Sequence, residues 1–136
     1  MITKASHMCI YVLDQDSAYD FYVNKLSFKV HTDVPMGSNG RWLTVTPPEQ
    51  PELEITLFLV VESGMFDKTT AATFRELISK GTFGPAVFTC KNIIATYEEL
   101  KAKGVVFKKE PTKKFYGYEA LFRDDSGNWF SLSQME

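Results

Sequence analysis

The only histidines in the chain are His7 and His31, which makes them its main candidates for acid–base or metal chemistry. With so few, no set of serine, histidine and aspartate, or of cysteine and histidine, can be assembled for nucleophilic catalysis. The two cysteines, Cys9 and Cys90, are too far apart for a zinc or redox motif, and both stand in apolar, strand-like runs. We therefore interpret them as reduced, buried thiols.

His7 opens the segment "HMCIYVLD", in which alternation predicts a strand with His7, Cys9 and Tyr11 on one face. The opposite face would pack on a helix, which leaves His7 facing a pocket. A half-buried histidine that bonds to backbone explains the same pattern. Both interpretations stay open at the level of the sequence.

Two further strand-like segments carry polar groups among large apolar ones. In "ELEITLFL", Glu54, Thr56 and Phe58 share a face, and of these only Glu54 could ligate a metal strongly. Glu54 is also explained as a solvated residue near the start of a strand. Near the end of the chain, Ser131 lies mid-strand in "NWFSLSQ". Trp129 and Ser133 share its face, and Leu121 and Arg123 are expected on the neighbouring strand. Further candidates for lining a pocket are Trp42, Phe58, Tyr116 and Tyr118.

The composition indicates one globular domain. The 136 residues are 44% hydrophobic and 14% aromatic, which is enough for a sizeable core. The net charge of −2 comes without a basic stripe, which argues against nucleic acid or an anionic membrane as partner. No apolar run approaches the roughly 20 residues of a membrane span, and the first residues lack a signal-peptide layout. We therefore expect a cytoplasmic protein.

The predicted elements occur in the same order twice, as strand, helix and three strands. Sliding the chain 78 positions onto itself places Ile10 on Phe88 and Asp14 on Asn92. The first helix is predicted over 16–26, capped by Asp16 or Ser17, and the run "KKEPTKK" (108–114) is predicted as a solvated loop. The prediction is an α+β fold of two β-α-β-β-β units, 1–62 and 84–136, joined by a connector over 63–83.

This order, with the segments "HMCIYVLDQDSAYDFYVNKLSFKV" and "RDDSGNWFSLSQ", resembles the vicinal oxygen chelate superfamily of glyoxalases, bleomycin-resistance proteins and extradiol dioxygenases. The resemblance implies curved mixed half-sheets around a concave pocket, and a homodimer. In metal-dependent members, histidine or carboxylate ligands occupy four positions, in the first, fourth, fifth and last strands. The metal then stabilises oxyanion charge or activates dioxygen.

Matched to those four positions, the chain offers an incomplete ligand set. His7 fits the first position, and the second falls among Glu54, Thr56 and Phe58, with Thr56 or Phe58 in the best alignment. The third is Pro85, which has no side-chain donor. The fourth is Ser131, and a neutral hydroxyl is a poor ligand for a divalent ion. His31 is placed at a strand end and matches no position.

These departures favour a small-molecule-binding protein of the glyoxalase/bleomycin-resistance type without a catalytic metal or other cofactor. The ligand would be aromatic or amphipathic, because the candidate residues combine rings with a few hydroxyls. Arg123 could pair with a ligand anion, or belong to the electrostatics of the turn that follows it. The alternatives are a metal-dependent glyoxalase-like lyase, isomerase or dioxygenase with relocated ligands, and an interaction module with a vestigial pocket. The predicted pocket residues are His7, Tyr11, Trp42, Glu54, Thr56, Phe58, Leu121, Arg123, Trp129 and Ser131.

Overall fold

The computed structural model describes residues 1–135, and the chain divides into two compact units at residues 76 and 77. Each unit contains one four-stranded sheet that mixes parallel and antiparallel pairs. The predicted α+β class is therefore confirmed. Within the described residues, no helix is long and apolar enough to cross a membrane.

The first unit has the strand order β1-β4-β3-β2, in which β1 and β4 are parallel and the other pairs antiparallel. A short helix, α1, follows β1 and continues as one π-helical segment, Asp20–Lys25. The helix α2 begins in the connector. The bounds are β1 His7–Val12, α1 Gln15–Tyr19, β2 Lys29–Pro35, β3 Arg41–Thr46, β4 Glu54–Leu59 and α2 Lys68–Ser79.

The second unit repeats that architecture with the order β5-β8-β7-β6, again with a parallel pair, β5 and β8. The equivalent position of each strand in the two sheets confirms the β-α-β-β-β repeat predicted from the sequence. The bounds are β5 Ala86–Thr89, α3 Ile93–Ala102, β6 Val106–Lys114, β7 Gly117–Arg123 and β8 Trp129–Met135.

Both repeat helices begin at an amide or carboxylate cap. The Ser17 backbone N–H donates to Asp14 Oδ1 at 2.8 Å, and the Ala95 N–H donates to Asn92 Oδ1 at 3.0 Å. The predicted cap at Asp16 or Ser17 was wrong by two or three positions. Asp14 has the extended backbone of a cap residue, with φ −153° and ψ 128°. Its side chain can therefore reach the backbone N–H of Ser17 in the first turn.

The segment predicted as a solvated loop, residues 108–114, instead lies within β6. This strand forms one edge of its sheet, and its pairing with β7 is irregular between Lys109 and Thr112. Pro111 stands in that irregular stretch. A proline is tolerated there because the missing N–H would not have entered a regular ladder.

Alternation sets which face of each sheet enters the core. In β1, Ile10 and Val12 are buried, whereas His7 and Cys9 on the other face are exposed. The prediction of a buried thiol was therefore wrong for Cys9, because the apolar run alone does not tell which face a residue takes. In β5, Phe88 stacks on Phe130 at 4.9 Å between ring centroids, which marks the core face of the second sheet.

Candidate functional site

Each sheet has a second face, opposite its core, and these faces carry the predicted site residues. In the first unit, strand register pairs His7 with Glu54, Cys9 with Thr56, and Tyr11 with Phe58. Because paired residues of adjacent strands share a face, these side chains form one surface. We call it the unit 1 face. It consists of His7, Cys9, Tyr11, Trp42, Thr44, Glu54, Thr56 and Phe58.

Glu54 is the centre of the polar end of the unit 1 face. Its Oε2 lies 3.1 Å from His7 Nε2, and its Oε1 lies 2.9 Å from His31 Nδ1. The Thr44 hydroxyl donates to Oε1 at 3.0 Å. With 19% of its side chain exposed, this carboxylate is enclosed by three hydrogen-bonding partners rather than solvated. Near it, the Trp42 ring lies 6.1 Å from the His7 ring.

Sequence reasoning set His31 aside, yet the structure brings it to Glu54. His31 lies within β2, where the register with β3 shifts between Val30 and Thr32. Its imidazole extends across β3 to reach Glu54 in β4. The contact depends on how three strands pair, which alternation along a single segment does not predict.

The opposite end of the unit 1 face is aromatic. Tyr11 lies 5.8 Å from Phe58, 6.2 Å from Phe66 and 5.0 Å from Phe74, measured between ring centroids. All four rings keep part of their surface accessible. Arg75 holds α2 against this end, since its Nη1 donates to the Leu13 carbonyl at 3.0 Å and the Val60 carbonyl at 2.8 Å. Phe66 lies in the connector just before α2, and Phe74 lies in α2. The sequence did not identify either residue as part of the site.

Between the two ends, Thr56 occupies the middle of β4. Its residue is 1% exposed, and its hydroxyl is buried with no hydrogen-bond partner among the described residues. Burying a hydroxyl without a partner costs about 1–3 kcal/mol. The unit 1 face therefore contains an unused donor and acceptor between its carboxylate and its rings.

The second unit has a corresponding face, the unit 2 face. Register pairs Leu121 with Ser131, and Arg123 with Trp129. Ser131 donates to Glu119 Oε2 at 3.0 Å and lies 3.3 Å from the Ser133 hydroxyl. The carboxylate that Ser131 lacks is thus supplied by Glu119, one strand away, which sequence reasoning missed. Both serines are buried.

Charged and phenolic groups surround Glu119. Lys109 Nζ lies 3.9 Å from Glu119 Oε1, and the neighbouring Lys114 lowers the pKa of Lys109. The pKa of the Tyr116 hydroxyl is raised, first by partial loss of solvent and then by the charge and hydrogen bond of Glu119. These groups give the unit 2 face a polar centre that can exchange hydrogen bonds with a ligand.

The turn before β8 bears on whether Arg123 pairs with a ligand anion or takes part in the electrostatics of the turn. Arg123 is exposed at the end of β7, while Asp124 is buried. Asp124 Oδ1 accepts from the backbone N–H groups of Ser126 and Gly127 at 2.9 Å and of Asn128 at 3.0 Å. Asp124 therefore anchors the turn, as expected for turn electrostatics, and Arg123 lies apart from that network.

The side chains of this protein can be compared with the ligand positions of metal-dependent relatives. Two histidines and one carboxylate, His7, His31 and Glu54, have the composition of many Fe(II) sites. Here their nitrogens point at two different oxygens of one carboxylate. Across residues 1–135, no three His, Cys, Asp or Glu side chains are placed to hold a metal ion. Pro85 precedes β5 and supplies no donor, and the Ser131 hydroxyl is bonded to Glu119.

Comparisons with known proteins place the chain in a family. Residues 4–132 match the model of the Glyoxalase/Bleomycin resistance protein/Dioxygenase superfamily. The chain is 36% identical over 126 residues to the uncharacterised protein YurT of Bacillus subtilis (strain 168), spanning 92% of this chain and 94% of YurT. It is similar to the crystal structure of UcmS2, with 50% identity, a TM-score of 0.92 and 98% of both chains covered. It is also similar to TnmS3, an antibiotic binding protein from Streptomyces sp. CB03234, with 25% identity, a TM-score of 0.76, and 99% of this chain and 98% of that chain covered.

The predicted resemblance to this superfamily is thus confirmed by a match over nearly the whole length, and the chain belongs to the glyoxalase/bleomycin resistance protein/dioxygenase superfamily.

Proposed function

We propose that this protein binds a flat, amphipathic small molecule on the unit 1 face, without a metal ion. The observation that carries the proposal is the division of that face into an aromatic end and a hydrogen-bonding end. Partly accessible rings at Tyr11 and Phe58 offer stacking surface, and Glu54 with its partners offers polar contacts.

The spacing of the two ends suits one ligand. Glu54 and Phe58 alternate with Thr56 on a single strand, so their side chains point the same way over about 13 Å. That span matches a few fused rings with a polar substituent.

A similar protein supports this class of function. TnmS3, which matches this chain over nearly its full length, is an antibiotic binding protein. A binding protein needs a shaped and partly polar surface but no reactive group. The unit 1 face meets that need with partly accessible aromatic rings at one end and a hydrogen-bonded carboxylate at the other.

The metal-free part of the proposal rests on the side chains at the expected ligand positions. Pro85 has no donor, and the hydroxyl of Ser131 is committed to Glu119. Both imidazole nitrogens nearest to Glu54 are committed to it as well. A divalent ion would have to displace these hydrogen bonds before reaching about three protein ligands.

Intrinsic fluorescence can test binding on each face separately, because the chain has only two tryptophans. The Trp129→Phe variant leaves Trp42, a member of the unit 1 face, as the sole reporter, and Trp42→Phe leaves Trp129. We expect 2-methoxynaphthalene, a neutral flat probe, to change Trp42 emission saturably. Phe58→Ala should weaken this binding roughly tenfold, since it removes stacking area worth about 1–2 kcal/mol. Saturable binding that Phe58→Ala leaves unchanged would contradict the unit 1 face as the site.

Metal analysis tests the second half of the proposal and its main alternative. The protein is incubated with Zn, Ni, Mn and Fe ions, dialysed and analysed for bound metal. We expect no stoichiometric ion. About one ion per chain that is lost in His7→Ala would instead favour the metal-dependent lyase, isomerase or dioxygenase. The homodimer implied by the family is part of the same proposal, and light scattering after gel filtration measures it.

A further inference from the structure

One ring nitrogen of His31 has no hydrogen-bond partner within residues 1–135. Its Nδ1 lies 2.9 Å from Glu54 Oε1 and 2.9 Å from Thr32 Oγ1. An ionised carboxylate only accepts hydrogen bonds, so the shared proton belongs to Nδ1. In the neutral ring, Nε2 then carries a lone pair, and it has no partner among the described residues. With 51% of the side chain exposed, this acceptor is open to a ligand.

The direction of that lone pair is fixed by the groups behind it. Glu54 is held by Thr44 at 3.0 Å and by His7 at 3.1 Å, so the carboxylate that orients His31 cannot swing freely. His7 differs from His31, because its second nitrogen, Nδ1, already lies 2.8 Å from the Ser6 hydroxyl. Of the two histidines, only His31 therefore presents an oriented and unused acceptor.

We propose that His31 Nε2 anchors the ligand by accepting a hydrogen bond from a weakly acidic hydroxyl, such as a phenol or enol. Glu54 acts as the positioning residue. The inference rests on the proposed binding function and names the chemical class of its ligand. An acidic hydroxyl is favoured over an alcohol because the Glu54 carboxylate stabilises the positive charge that develops on the ring as it draws the proton.

A pair of probes isolates this one hydrogen bond. 2-Naphthol and 2-methoxynaphthalene share the same rings, but only the naphthol can donate to Nε2. In wild-type protein we expect the naphthol to bind about tenfold more tightly, the value of one good hydrogen bond. In His31→Phe, which keeps a flat ring but removes the acceptor, the two affinities should become equal while the ether still binds. The emission spectrum of 2-naphthol also shifts when its hydroxyl proton moves toward a base, here His31 Nε2.

Two further variants keep the test decisive. Glu54→Ala should lower the affinity ratio because the His31 ring loses the carboxylate that orients it, whereas Thr32→Val should preserve the ratio because Glu54 still orients the ring. The affinity ratio is insensitive to a general loss of stability, which weakens both probes alike. Equal affinities in the wild type, or a ratio unchanged in His31→Phe, would overturn the role of His31 while leaving the binding function standing. Failure of both probes to bind would overturn the proposed function and this inference with it.

Discussion

Asp124 should be one of the most sensitive positions for stability, although it lies outside the proposed ligand contacts. Its Oδ1 accepts three backbone hydrogen bonds from the turn before β8, and its Oδ2 accepts from Asn128 Nδ2 at 3.0 Å. In Asp124→Ala, buried N–H groups lose their acceptor, and each costs about 1–3 kcal/mol. With water entering beside the turn, we expect a total loss of about 3–5 kcal/mol.

Asp124→Asn supplies a graded comparison. The asparagine carbonyl can still accept from the turn, but the negative charge is gone and an NH₂ group replaces the acceptor for Asn128. Because hydrogen bonds to charged groups are worth more than neutral ones, we expect a smaller loss of about 1–2 kcal/mol. The neighbouring Asp125 is exposed, and its change to alanine should cost about 0.5 kcal/mol or less.

Urea unfolding followed by far-UV circular dichroism measures these differences as shifts of the midpoint at constant slope. A small domain has about 5–15 kcal/mol of stability, so the alanine variant should unfold at a clearly lower urea concentration. If Asp124→Ala lost less than about 1 kcal/mol, or no more than Asp125→Ala, the network at Asp124 would not stabilise the fold as reasoned.

Three other outcomes follow from local contacts. Gly84→Ala should displace the Trp129 indole, because a Cβ at this position would overlap the ring, and the Trp129 emission of Trp42→Phe protein should shift. Gln15→Ala should lower the free energy of unfolding by about 2–4 kcal/mol, since its amide makes buried hydrogen bonds to the backbone of β3 and β4. Partial loss of solvent around the exposed Cys9 thiol raises its pKa, so in Cys90→Ser protein its alkylation by iodoacetamide should reach half of its maximal rate at a higher pH than an ordinary thiol does. A pH–rate profile with its midpoint at or below that of an ordinary thiol would contradict this expectation.

Much of the fold could be predicted from local pattern. Alternation and helical periodicity located the two β-α-β-β-β units, because each residue's face depends only on its immediate neighbours. Helix boundaries and irregular helical segments were harder to predict, because they depend on backbone conformation. The helix begins after Asp14 rather than at Asp16, and it passes into a π-helical segment, neither of which the residue types alone determine.

The site was harder to predict because it depends on register between distant segments. His31 in β2 reaches Glu54 in β4 because both strands pair with β3, and Glu119 meets Ser131 because β7 and β8 pair with one particular offset. Phe66 and Phe74 join Tyr11 from the connector and α2. The residues that the sequence did identify, including His7 and Ser131, lie on strands that the alternation of residues had already located.

Binding of an amphipathic aromatic molecule to the unit 1 face should not depend on a metal ion. Fluorescence titration of Trp129→Phe protein with 2-naphthol measures this, after exhaustive treatment with EDTA and again after adding Zn, Ni, Mn or Fe ions. We predict saturable binding of about one probe per chain, with the same affinity in every condition. Binding that appears only when a metal ion is restored would contradict the account.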